Sequence, residues 1–228
     1  MVDRLFLDAL VHAANSLPRH TAHSSQFLYH GLKLIARLES PINNQEVYDA
    51  IWDLQKRILE NRVSWTTSDI FANPPPASWC GDHILCCPTN TGFSSSAALA
   101  AQTALATGIS DSQYAALRAE HAHQGWMAIE RGRFTGVCYM PCRENGRGIG
   151  LAGHLAALAA YPGIFHIPCW SDGNDLNEWC AGVLAFQAYG RQMQSSASFL
   201  HLWFLPEKED ICMSLQKQLQ SIGVHVHA

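Results

Sequence analysis

A chain of 228 residues with 48% hydrophobic and only 15% charged residues can build one substantial core, which excludes a disordered polypeptide. A formal net charge of −4, with twelve histidines and no basic stripe, excludes a nucleic-acid polymer as the partner. No apolar run reaches the roughly eighteen residues of a membrane span, and "MVDRLFLDALVHAANS" is too polar for a signal peptide, so a cytoplasmic protein without a membrane partner is expected.

Along the chain, residues 3–17 and 25–39 carry apolar side chains at helical spacing, with Leu28, Leu32, Ile35 and Leu38 on one face. A Ser-Pro start then leads into a third helical pattern, Val47, Ile51, Leu54 and Ile58, and this helical part is expected to end near Trp65. "FANPPPASW" is a proline-rich break. It divides a helical N-terminal extension, residues 1–75, from a second unit, residues 76–228. In that unit "DHILCC" reads as a short buried strand and "SSSAALAAQTALATG" as a helix stopped at Gly108. "GVCYM" and "FLHLWFL" have strand character, whereas "LAGHLAALAAY" and "EKEDICMSLQKQLQSIG" have helix character, and "VHVHA" closes the chain as a strand. The alternation predicts an α/β fold, or α+β, with a mixed sheet flanked by helices.

Eight cysteines are scattered without the spacing of a disulfide-stapled domain and are read as mostly reduced thiols. "CGDHILCC" and "HAH" place Cys80, His83, Cys86, Cys87, His121 and His123 as conceivable zinc ligands. On a strand, however, Cys86 and Cys87 point to opposite faces, so buried thiols are the preferred reading. "PTNTGFSSSAALA" has the look of a kinase phosphate loop, but serines at a helix start are common simply as caps. Cys80, His154 and Asp172 or Asp175 follow the order of some cysteine hydrolases, an order that arises readily by chance among so many such residues.

"CRENGRGIGLAGH", residues 142–154, is more specific. Three glycines, Gly146, Gly148 and Gly150, around Arg147 let a ligand approach the backbone where a guanidinium can grip phosphate or carboxylate. With its flanks, "GVCYMPCRENGRGIGLAGHLAALAAY" resembles the signature of GTP cyclohydrolase II, matching at Tyr139, Glu144, Gly146, Arg147, Gly148, Ile149, Gly150 and Leu151, with Asn145 inserted after the glutamate. A second block, "FLHLWFLPEKEDICMSLQKQLQSIGVHV", is similar to that family's strand, Pro-x-Lys turn, helix and Gly-Ile-x-Val strand, with Pro206 and Lys208 in place. The two blocks stand in the family's order, within residues 100–228. The resemblance implies a small-molecule substrate contacted by Tyr139, Gly146, Gly148, Arg147 and Lys208, with Glu144 in a catalytic role.

The chain also departs from the family. Ala104 stands where the first zinc cysteine belongs, His121-x-His123 falls near the Cys-x-Cys pair, and the catalytic Asp-x-Arg has become Cys180-Ala181-Gly182. Trp203-Phe204-Leu205 replaces the polar Thr-Asn-Asn. Two histidines without a third ligand hold zinc weakly, so neither a metal nor any other cofactor is expected. The expectation is a divergent enzyme acting on a nucleotide, heterocycle or other small polar molecule, without zinc-dependent ring opening. In it Cys180 would be the nucleophile or proton carrier and His154, aligned with a family lysine, its acid–base partner. The alternatives are a non-catalytic binding or regulatory relative and an unrelated cysteine hydrolase or transferase. The helical extension suits contact with a second copy, and a homodimer is expected.

Overall fold

The computed structural model describes residues 2–16, 22–35, 49–50, 53–54, 62–75, 82–90, 98–110, 112–113, 115–116, 125–128, 133–144, 147–148, 150–169, 176–192, 198–222 and 224. Six α-helices lie among them: α1 (Val2–Ser16), α2 (Ala22–Ile35), α3 (Ala98–Thr107), α4 (Leu151–Leu158), α5 (Leu176–Gln192) and α6 (Glu209–Ser221). Seven strands form one sheet: β1 (Val63–Thr67), β2 (His83–Asn90), β3 (Gly125–Ala128), β4 (Gly136–Glu144), β5 (Arg147–Gly148), β6 (Gly163–Cys169) and β7 (Ser198–Phe204).

The spatial order is β1-β7-β6-β2-β4-β3, with β5 paired to β4. The first five of these run parallel. β3 and β5 lie antiparallel to β4, so the sheet is mixed and the protein is α/β, as expected. β6 and β7 are buried at every position, as parallel strands covered on both faces must be. This explains why "GIFHIPC" shows no alternation and was not predicted as a strand.

Alternate residues of each strand enter two different packing layers. Ile84, Cys86, Cys138, Met140, Phe165, Ile167, Leu200 and Leu202 pack under α4, α5 and α6. On the opposite face Cys87, Val137 and Tyr139 meet α3, and Ile164 and Phe199 meet α1 and α2. Cys86 and Cys87 therefore do face opposite ways. Seven cysteines among the described residues are free thiols, all buried.

Two local expectations are revised. The sequence reading carried helix to about Trp65, but Val63–Thr67 is a strand, and it pairs with β7 at the sheet edge. Its residues Val63, Thr66 and Thr67 are β-branched, and a place beside β7 favours them as a strand. The sheet thus begins before the proline-rich break, inside the stretch expected to be a helical extension. The predicted closing strand at residues 224–228 lies outside the described residues except for Val224, which is not in a strand, and most of the third helical pattern at 47–58 lies outside them too. Among the described residues no helix is long and apolar enough to cross a membrane.

Candidate functional site

The loop after β2 leads to α3 on one face, whereas the loops after its neighbours β4 and β6 lead to α4 and α5 on the other. Diverging connections of this kind open a crevice at the carboxyl ends of the strands, the usual ligand position in open α/β sheets. Of the sequence-predicted residues, Glu144, Arg147, Gly148 and Lys208 stand at or beyond the carboxyl ends of β4 and β7. Glu144 ends β4 and Arg147 opens β5, and the two occupy directly opposed register positions, as do Arg143 and Gly148. The two residues between them are Asn145 and Gly146, the pair most favoured in two-residue hairpins. The inserted asparagine thus suits a β-hairpin, a reading the sequence comparison missed. The side chains of Glu144 and Arg147, the loop residue Gly146 and the candidate ligands Cys80, His121 and His123 lie outside what the structure describes, as do Asp172 and Asp175.

Gly150 ends the loop in the left-handed region at φ +66° and caps α4. A side chain would strain the backbone there, so the glycine sets how the chain turns from hairpin into helix. His154 is half-buried in the second turn of α4. Tyr139 lies inside β4, fully buried against Cys87 and α3, so it supports the strand from below and not from the open edge. Beyond β7, Pro206–Lys208 form a short 3-10 turn that places a half-buried Lys208 on the same edge.

Cys180 lies in the second turn of α5, packed side by side with α4. It belongs to the core layer with Trp179, Val183 and Leu155, and only 5% of its surface is exposed. Burial pushes its thiol up from the ordinary value. A nucleophilic thiol needs the opposite shift, because only the thiolate attacks. Gly182, where the family has arginine, fits tightly against α4: an added Cβ would stand 2.5 Å from Leu155 Cδ1. The geometry therefore explains Cys180 and Gly182 as helix packing, with Ala181 between them exposed.

A second polar cluster, not foreseen from the sequence, lies on the opposite sheet face. His166 and His201 are register neighbours on β6 and β7, and Ser64 is the neighbour of His201 on β1. Ser64 Oγ and His201 Nδ1 share a hydrogen bond of 2.8 Å. His83 Nδ1 and His166 Nε2 share another of 2.8 Å, and Trp203 Nε1 donates to His166 Nδ1 at 3.0 Å. All four polar rings are at least nine-tenths buried, with Phe134 edge-on to His166 and Ile70 and Phe134 clustered with Trp203. Burial pushes His201 down to about 3 and, together with the neighbouring His201 and His83 imidazoles, pushes His166 well below its ordinary value. His166 and His201 are thus neutral. A metal on His166 Nε2 does not fit, because Nδ1 already accepts from an indole and a ligating histidine needs a proton there. Among the described residues no group of three or more His, Cys, Asp or Glu is arranged to hold a metal ion. The available signal was a histidine embedded in each of two apolar strands, "GIFHIPC" and "SFLHLWF". A polar residue at such a position must be hydrogen-bonded.

Comparison with models of known protein families finds no match, and a search of curated proteins finds no significant relative.

Proposed function

We propose that the chain is a divergent GTP cyclohydrolase II-like enzyme that takes a small anionic substrate, a nucleotide or phosphorylated heterocycle, at the carboxyl edge of the sheet. One observation carries this reading: the strand–hairpin–Gly150–helix unit and the strand–Pro206–Lys208–helix unit open on the same edge, on either side of the central strand β2. Arg147 would grip an anionic group through two parallel hydrogen bonds, and Lys208 would supply a second, compact charge. Glu144 accepts a proton or an N–H from the substrate, and His154, half-buried at the start of α4, is the acid–base candidate. The replaced zinc cysteine at Ala104 argues for a reaction other than metal-assisted ring opening.

The buried, protonated thiol of Cys180 favours a second reading, a binding module that keeps the ligand loop without the chemistry. Titration calorimetry with GTP and a panel of smaller phosphorylated heterocycles tests the shared element. Arg147→Ala should weaken binding by about 10- to 100-fold, the worth of a hydrogen bond to a charged group. Lys208→Ala should do so less strongly, since its ammonium acts as a point charge. Binding unchanged in both variants would overturn the site. Turnover then separates the readings: a bound ligand converted by the wild-type chain, with conversion lost but binding intact in His154→Ala, marks the enzyme, whereas binding without conversion in the wild type marks the module.

A further inference from the structure

An indole nitrogen only donates, so His166 Nδ1, which receives it at 3.0 Å, carries no proton. A neutral His166 then keeps its proton on Nε2, 2.8 Å from His83 Nδ1, which must accept. Trp203 thus sets the direction of the whole chain, from β7 through β6 to β2. An added proton finds no place in it. On His166 it would sit on Nδ1 and face the indole N–H. On His83 Nδ1 it would face the His166 Nε2–H, and His166 cannot reverse its tautomer without meeting the indole again.

We propose that the Trp203–His166–His83 chain is an acid-operated latch, closing β7, β6 and β2 on one face while its rings are neutral and releasing them when a ring takes up a proton.

The surroundings suit that role. Burial disfavours a proton on His166 first, and the neighbouring His201 and His83 imidazoles disfavour it further. Phe134 covers the ring edge-on at 6.1 Å, and Ile70 and Phe71 complete the apolar cover. Of the other ionisable groups on the packed elements, Arg62 is buried before β1 beside Tyr29 of α2. Asp8 and His12 of α1, His30 and Lys33 of α2, and Asp82 before β2 are exposed. Asp69 accepts from the Phe71 N–H, and Arg133 donates to the Pro75 carbonyl.

The sign follows from proton counting. An unfolded histidine titrates at about 6.5, whereas folded His166 and His201 stay neutral well below that pH. Below about 6.5 the unfolded chain binds more protons, so stability falls as pH falls; above it the effect vanishes. For His201 the window runs from about 6.5 down to about 3.

The test uses the full-length protein. Two-bond ¹H–¹⁵N spectra at pH 7.5 should show both His166 and His83 protonated on Nε2; His166 protonated on Nδ1, or charged, would overturn the latch. Urea unfolding from pH 7.5 to 4.5 should show the folding constant dropping about tenfold per pH unit for each histidine held neutral. Trp203→Phe removes the donor and lets Nδ1 take a proton in the folded state, so its pH dependence should be shallower by up to about tenfold per unit. A Trp203→Phe slope equal to wild type would sink the proposal. Should that variant not fold, the ring spectra of the wild-type chain decide the matter alone.

Discussion

Phe165→Ala is expected to lower the free energy of unfolding by about 3–5 kcal/mol. Phe165 is fully buried in β6, paired with Leu200 of β7 on one side and Ile84 of β2 on the other. It belongs to the layer beneath α4, α5 and α6, at the middle of the parallel sheet. Truncation removes the transfer free energy of a phenyl ring and leaves a cavity whose lining, β-strand on one side and packed helices on the other, has little freedom to collapse. A domain stable by about 5–15 kcal/mol would lose a large share of that margin. Urea titration should show a lower midpoint at unchanged slope. Phe165→Leu, which keeps most of the volume, should cost below about 1.5 kcal/mol. A loss below about 1 kcal/mol for the alanine variant would mean that this layer is not the core that holds the fold.

A glycine gives the second large effect. Gly163→Ala should destabilise by about 2–4 kcal/mol, from backbone strain and overpacking together. Gly163 begins β6 at φ +134°, a conformation that residues with side chains rarely adopt. An added Cβ would overlap Ile84 Cδ1 and stand 3.2 Å from the Asp82 carbonyl oxygen. That carbonyl accepts the Ile164 N–H at 2.8 Å, which sets the register between β6 and β2 and cannot yield without loosening it. The double variant Gly163→Ala/Ile84→Ala separates the two causes, because it relieves the side-chain overlap but not the φ angle. Coupling of about 1 kcal/mol or more between the two sites is expected. Stability of the single variant within about 0.5 kcal/mol of wild type would show that the strand start adapts freely.

The acid latch lies on one face of the sheet and the proposed ligand site at its carboxyl edge, yet both depend on β7. Their hydrogen-bond partners explain why one was readable and the other was not. The Glu144–Gly150 loop is contiguous in sequence, and its glycines, arginine and Asn-Gly pair are local statements about backbone shape. His83 and His166 are 83 residues apart, Ser64 and His201 are 137 apart, and no spacing rule links them. They meet because β6 pairs with β2 and β7 inserts between β1 and β6, a choice of strand order made by the whole sheet.

Read alone, the sequence determined what depends on near neighbours. It placed α1 and α2 from their helical period, α3 up to the Gly108 stop, and α4, α6, β2, β4 and β7 from their composition. It also sent Cys86 and Cys87 to opposite faces, because side chains alternate on any strand. Only the tertiary structure decided that Val63–Thr67 joins the sheet and that "GIFHIPC" is a strand buried on both faces. Only it placed Cys180 in a core layer where burial keeps the thiol protonated. The physical reason is common to all three. Periodicity reports how a segment divides its surface between core and water, whereas pairing partners and the protonation of a buried group are set by atoms that arrive from far along the chain.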